Sequence, residues 1–313
     1  MSAERSDRLA LAARNIARQI GEPPARRALV VASPGKAPLA EAVRGVLDAH
    51  GLAAVRKAPG SAEDLRRALA AGEGLVLLLE PPDAPLLFAL VGRPDEAPEP
   101  PAESPPHLFC DWLLPAEGVE RTWGVDLEEV IAFRRWLLSR LEGAREIHVA
   151  TPAGTDLRLA PRAWLSWPSP VGEVYTAPLE DSVEGLVVVD GVAYGGPVAR
   201  RFSLRIEGGR IVNLADLDRT DPQQRMAYDD LTRDPNASRV AELGIGINPG
   251  ARADADIMEA EQARGTCHVG FGRNVAYGGA IESAFHGDFS LLIPTIVVDG
   301  RMLPPGVYSP FGL

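Results

Sequence analysis

"RFSLRIEGGRIVNL", residues 201–214, decides how the second half of this chain folds. Phe202, Leu204 and Ile206 alternate with polar neighbours, the period of a strand with one buried face. Gly208 and Gly209 then separate this run from Ile211 and Val212, and two glycines between strands read as a hairpin turn. The same pattern recurs on both sides. "EIHVATPAGTDLRLAP" (146–161) reads as a hairpin with a Pro-Ala-Gly turn, and "EGLVVVDG" (184–191) as a strand. "LLIPTIVVDGRML" (291–303) reads as strands joined at Asp-Gly. Helical segments near 221–234 and 254–263 interrupt them, so this half is expected to be mixed α+β and mostly antiparallel.

The first half alternates instead. "RALVVAS" (27–33), "LAAVRKA" (52–58) and "GLVLLLE" (74–80) read as strands. Between them, "LAEAVRGVLDAHG" (39–51) and "SAEDLRRALAAG" (61–72) read as helices, stopped by Gly51 and capped by Ser61. Strand–helix alternation implies a parallel sheet covered by helices. "SPGK" (33–36) follows the first strand but lacks the leading glycine and the Ser/Thr that a phosphate loop needs. A proline-rich stretch over 81–106 reads as an exposed loop, and "DLEEVIAFRRWLLSRLEGA" (126–144) as a helix ending at Gly143. The expected organisation is an N-terminal parallel α/β domain over 1–142 and a C-terminal, mostly antiparallel domain over 143–313 that binds metal, for the reasons below.

Composition narrows the function classes. The 313 residues carry a formal net charge of −11, which argues against nucleic acid as the main partner. No apolar run reaches the length of a membrane span, and the first 20 residues are charged throughout, unlike a signal peptide. Cys110 and Cys267 do not make a disulfide framework. A cytoplasmic protein is the expectation.

Ligand-type residues gather in the second half beside glycines: Glu173 in "PVGEVYTAP", Glu242 in "VAELGIGINPGA", His268 in "GTCHVGFGRN", and His286 with Asp288 in "FHGDF". Alternate residues on a strand point the same way, so His286 and Asp288 would face one side and share an ion. Any one of these residues reads equally well as a buried acid or imidazole satisfied by backbone groups. The set of five suits two divalent ions with a carboxylate between them. His50, His107 and His148 lie in settings less suited to a site.

The segments "PAGTDLRL" (152–159), "GEVYTAPLEDSVEGLVVVDG" (172–191), "ELGIGINPGA" (242–251), "HVGFGRN" (268–274) and "HGDF" (286–289), in this order, resemble the thermophilic metalloprotease, or aminopeptidase T, family. The resemblance covers about 150 to 300. It implies a dimeric, two-domain metallo-aminopeptidase with two divalent ions, zinc, cobalt or manganese, acting on a peptide. It also implies Glu173, Glu242, His268, His286 and Asp288 as ligands. Glu173 or Glu242 would carry the proton, and Tyr277 in "NVAYGG" would hold the oxyanion. The chain is shorter than those peptidases, with only 17 residues between His268 and His286. The related 2,5-dihydroxypyridine dioxygenases imply an alternative: one iron(II) on His268, His286 and Asp288. A repurposed biosynthetic or binding member is the third reading.

Overall fold

The computed structural model describes residues 2–20, 27–83, 85–86, 90, 108–110, 114–166 and 172–304. The later part of the proline-rich stretch and His107 lie outside the described residues. Two compact units form, one from residues up to 93 together with 101–127, the other chiefly from 128 onward.

In the first unit, β1 (Arg27–Ala32), β2 (Ala53–Lys57), β3 (Gly74–Leu78) and β4 (Leu108–Cys110) make a parallel sheet in the order β2-β1-β3-β4. Helices α1 (Ala3–Ile20), α2 (Ala37–Ala49), α3 (Ala62–Ala70) and α4 (Ala116–Trp123) accompany it. The fully apolar run of β3 is buried at every position, as a parallel strand covered on both faces requires. Leu65 and Ala68 of α3 pack on Leu29, Val31, Leu75 and Leu77. The Ser61 hydroxyl accepts from the Asp64 amide, the expected cap. The "SPGK" turn is filled from within: the buried Lys36 ammonium donates to the Leu79 carbonyl, and the Gly35 amide to Glu80.

The second unit begins with α5 (Leu127–Leu141). The expected boundary at 142 would leave this helix with the N-terminal domain, whereas from Glu128 on it groups with the second unit. The Arg264 guanidinium lies 4.3 Å from the centre of the Phe133 ring and grips Glu129 with both terminal nitrogens, at 2.8 and 3.0 Å. Strands β5 (Ile147–Ala150), β6 (Asp156–Leu159), β7 (Glu173–Thr176), β8 (Glu184–Val189), β9 (Val192–Ala193), β10 (Gly196–Pro197), β11 (Phe202–Glu207) and β12 (Arg210–Ile211) follow. After α6 (Pro222–Leu231) come β13 (Val240–Gly246), the one-turn α7 (Ile257–Ala260), β14 (Thr266–Gly272), β15 (His286–Leu292), β16 (Thr295–Val298) and β17 (Arg301–Met302).

They build two larger antiparallel sheets, β12-β11-β8-β6-β5-β16-β17 and β15-β14-β13-β7. Gly208 and Gly209, at φ 54° and 71°, turn β11 into β12, and Asp299 with Gly300 turns β16 into β17 at φ 46° and 79°. Positive φ at both central positions is what a two-residue hairpin matching the strand twist demands. The four-stranded sheet turns one face inward. Phe271 and Phe289 on that face sit 5.6 Å apart, and Phe289 meets Phe202 of the seven-stranded sheet at 5.9 Å. Its other face carries the chemistry.

Candidate metal centre

Strands β13 and β14 read Glu-x-Gly-x-Gly and His-x-Gly-x-Gly. Because strand side chains alternate, Glu242, Gly244 and Gly246 share a face, as do His268, Gly270 and Gly272. The register sets ligand against glycine. Gly246 pairs Glu173, Gly244 pairs both Tyr175 and His268, Gly270 pairs Asp288, and Gly272 pairs His286. A β-bulge between Val240 and Glu242 sets the register that brings Glu242 opposite Gly270. The glycines leave a floor with no side chains. A Cβ on Gly244 would lie 2.0 Å from His268 Cε1 and 2.9 Å from Glu173 Oε2, and one on Gly270 2.6 Å from Asp288 Oδ1.

All five expected residues converge on that floor. His268 Nε2 is 3.2 Å from Glu173 Oε2 and 3.5 Å from Glu242 Oε1. His286 Nε2 is 3.4 Å from Glu242 Oε2 and 3.5 Å from Asp288 Oδ2. Glu242 thus turns one oxygen toward each imidazole. Two donor sets result, Glu173–Glu242–His268 and Glu242–His286–Asp288, each with its atoms within 4.8 Å of one another. The His268–His286–Asp288 triad of the one-iron expectation is divided between them.

The surroundings orient the donors. His286 Nδ1–H donates to the Arg273 carbonyl at 2.7 Å, which leaves Nε2 facing inward as the ligand nitrogen. The Tyr277 hydroxyl stands 3.4 Å from His286 Nε2. Tyr277 sits on the turn after Asn274, whose buried side chain accepts from the Ile281 amide at 2.8 Å and donates to the Ala241 carbonyl at 3.3 Å. Two donor atoms fit a cation in particular: Glu173 Oε2 and Asp288 Oδ1 are shielded from solvent without a hydrogen-bond partner. Glu173 Oε2 is near His268 Nε2 yet off its hydrogen-bonding direction. Buried carboxylate oxygens left in this way are costly unless a cation satisfies them. Nitrogen and oxygen donors of this kind suit zinc, iron, cobalt or manganese.

Residues 135–304, which include every one of these donors, match the family described as NicX, 2,5-dihydroxypyridine 5,6-dioxygenase. The chain belongs to that family. A curated relative, 2,5-dihydroxypyridine 5,6-dioxygenase of Pseudomonas putida, is 26% identical over 228 residues; the match covers 64% of this chain and 61% of that protein. Two solved structures share the NicX-family fold across nearly the whole chain. The 2,5-dihydroxypyridine dioxygenase from Pseudomonas putida has a TM-score of 0.65 at 17% identity, covering 100% of this chain and 98% of that one. AmpT from Thermus thermophilus has a TM-score of 0.56 at 17% identity, covering 96% and 98%. The likeness to aminopeptidase T is therefore one of fold.

The electrostatics of this NicX-family centre reflect three carboxylates and two imidazoles in a dry place. Burial, reinforced by the charges of Glu242 and Asp288, raises Glu173 to about 8 against the pull of the two histidines. Burial opposes a charge on His268, but Glu173, Glu242 and Asp288 outweigh it and raise the imidazole to about 10. Burial would also raise Asp288, yet His286 and His268 hold it below its usual range.

One more acid belongs here. Glu261, just after α7, is buried, and burial together with the charges of Glu173 and Asp288 holds it well above the carboxylate range. Sequence reasoning passed over it because "MEAEQARG" looks like solvated helix. The glycine alternation in "ELGIG" and "HVGFG" was the one readable sign of the floor. The other described histidines lie elsewhere: His148 Nε2 bonds Asp156 at 2.7 Å, and His50 Nδ1 bonds the Val46 carbonyl at 2.7 Å.

Proposed function

We propose that this chain is a metal-dependent ring-opening dioxygenase acting on a small hydroxylated aromatic ring of the 2,5-dihydroxypyridine kind. What carries this reading is the family match over residues 135–304 together with the donor floor it encloses. His286, Asp288 and Glu242 would hold an iron(II) ion, with His268 turned toward it from the next strand. Bound there, such an ion supplies the activation of oxygen and an electron path to the ring. The protein does the rest. Arg273 keeps His286 in one tautomer through its Nδ1 proton. Glu173, raised to about 8, would exchange a proton with a ring hydroxyl, its raised value lying close to the working pH of such a group. The Tyr277 hydroxyl is placed to donate to an oxygen at the His286 side. Aerobic turnover of 2,5-dihydroxypyridine by protein loaded with iron(II), followed by loss of ring absorbance, tests the reading. No turnover across a panel of dihydroxypyridines and catechols counts against it.

One observation favours a second reading. Glu242 offers one oxygen to each of two donor sets, an arrangement suited to two ions that share a carboxylate. In that case the chain is a two-ion aminopeptidase, with Glu173 or Glu242 passing a proton to the leaving amine and Tyr277 holding the oxyanion. Ion count decides between them: about one iron per chain supports the dioxygenase, and two zinc, cobalt or manganese ions with hydrolysis of aminoacyl anilides support the peptidase. A cytoplasmic homodimer is proposed for either.

A further inference from the structure

Tyr175 is outside both donor sets, yet β7 aims it at the same space. It lies two residues from Glu173 on one strand, so the two side chains share a face. The register sets it beside Gly244, over which the His268 imidazole leans. Its ring meets Tyr277 edge-on at 5.3 Å, and Tyr277 meets His286 in the same way at 5.3 Å. The two tyrosines thus form one wall of the centre. The Tyr277 hydroxyl stands 3.4 Å from His286 Nε2, whereas among the described residues no hydrogen bond holds that of Tyr175. The residue is only 3% exposed. A tyrosine hydroxyl normally finds a polar partner, and this one, not sealed from solvent as Glu173 Oε2 and Asp288 Oδ1 are, is open to a partner entering the centre.

We propose that Tyr175 is a substrate-binding residue, its hydroxyl donating a hydrogen bond to an oxygen of the substrate held above Gly244. A phenol carries its proton at neutral pH, so it serves as donor and requires an acceptor oxygen. Phenolate and carbonyl oxygens both qualify, and a ring or peptide lacking the oxygen is discriminated against. The inference rests on the metal-enzyme reading above but on neither reaction in particular.

The test is Tyr175→Phe, which removes one oxygen and keeps the ring contact with Tyr277. Acetohydroxamate, a small oxygen ligand for bound divalent ions, is titrated by calorimetry into metal-loaded wild type and variant. The expected result is unchanged metal content and melting temperature with about tenfold weaker acetohydroxamate binding. A matching fall in kcat/KM is expected on whichever of 2,5-dihydroxypyridine or leucine p-nitroanilide the wild type turns over. Equal acetohydroxamate affinity in the two proteins overturns the inference. So does loss of metal from the variant, because Tyr175 then supports the donors and not the substrate. Wild-type protein that takes up no divalent ion overturns the metal-enzyme reading itself, and the inference with it.

Discussion

Gly244→Ala is the sharpest probe of the centre, because the perturbation is one methyl group aimed between two donors. The added Cβ would lie 2.0 Å from His268 Cε1, 2.1 Å from His268 Nε2 and 2.9 Å from Glu173 Oε2. Ordinary contact begins at 3.4 Å, so the imidazole must retreat by more than 1 Å. His268 is 1% exposed and its strand is paired on both sides, with Gly244 and with Ser290, so the ring has little room to move without dragging its strand. Misplacing a ligand in this way costs on the order of 100-fold in metal affinity, about 2.8 kcal/mol at 1.4 kcal/mol per decade. Overpacking adds roughly 1–3 kcal/mol of lost stability. The backbone at Gly244 needs no positive φ, so the effect is steric. Calorimetric titration of the metal-stripped variant with zinc or iron(II), beside thermal melting, reads both quantities. Gly45→Ala is the control: nothing lies within 4 Å of its Cβ, and in the middle of α2 it should stabilise by roughly 0.5–1 kcal/mol. Wild-type metal affinity in Gly244→Ala would falsify the glycine-floor account.

Three further outcomes follow from the same geometry. Glu242→Gln should abolish binding at both donor sets, whereas Glu173→Gln should leave the His286–Asp288 side loaded, as ion counts by plasma emission would show. The metal-free protein should lose stability as pH rises. His268 is raised from 6.5 to about 10, so its contribution is complete below 6.5 and lost toward 10; Glu173 is raised from 4.5 to about 8, so it ionises more readily unfolded and penalises the fold increasingly from 4.5 up to 8. Melting of chelator-treated protein between pH 6 and 10 measures this, and a flat profile refutes it. Asn274→Ala removes a buried side chain that bonds Ile281 and Ala241, costing about 1–3 kcal/mol and loosening the Tyr277 turn, which denaturant unfolding and activity assays would register together.

Much of the fold was legible because local rules agree with it. The Gly208–Gly209 and Asp299–Gly300 turns, the Ser61 cap and the apolar run of β3 all form where residue chemistry demands. The boundary expected after residue 142 differs from the grouping of the fold: α5 reads as a helix anywhere, and long-range contacts such as Arg264 to Glu129, 135 residues apart, place it with the second unit. The five donors were named from their motifs, whereas Glu261 was hidden. A glutamate in a polar run carries no local mark of the cavity that later closes around it.

The chain by itself determined which elements form, that His286 and Asp288 share a strand face, and which residue types suit a cation. Those properties are set by periodicity and turn chemistry within a few residues. Only the tertiary structure decided that Glu242 stands between the two histidines, that glycines lie opposite the donors, and that Tyr175 reaches the same space. Each of these depends on strand register between residues 14 or more apart in the sequence. A slip of one residue in any of these strands would turn that strand's donors toward the Phe271–Phe289 core instead.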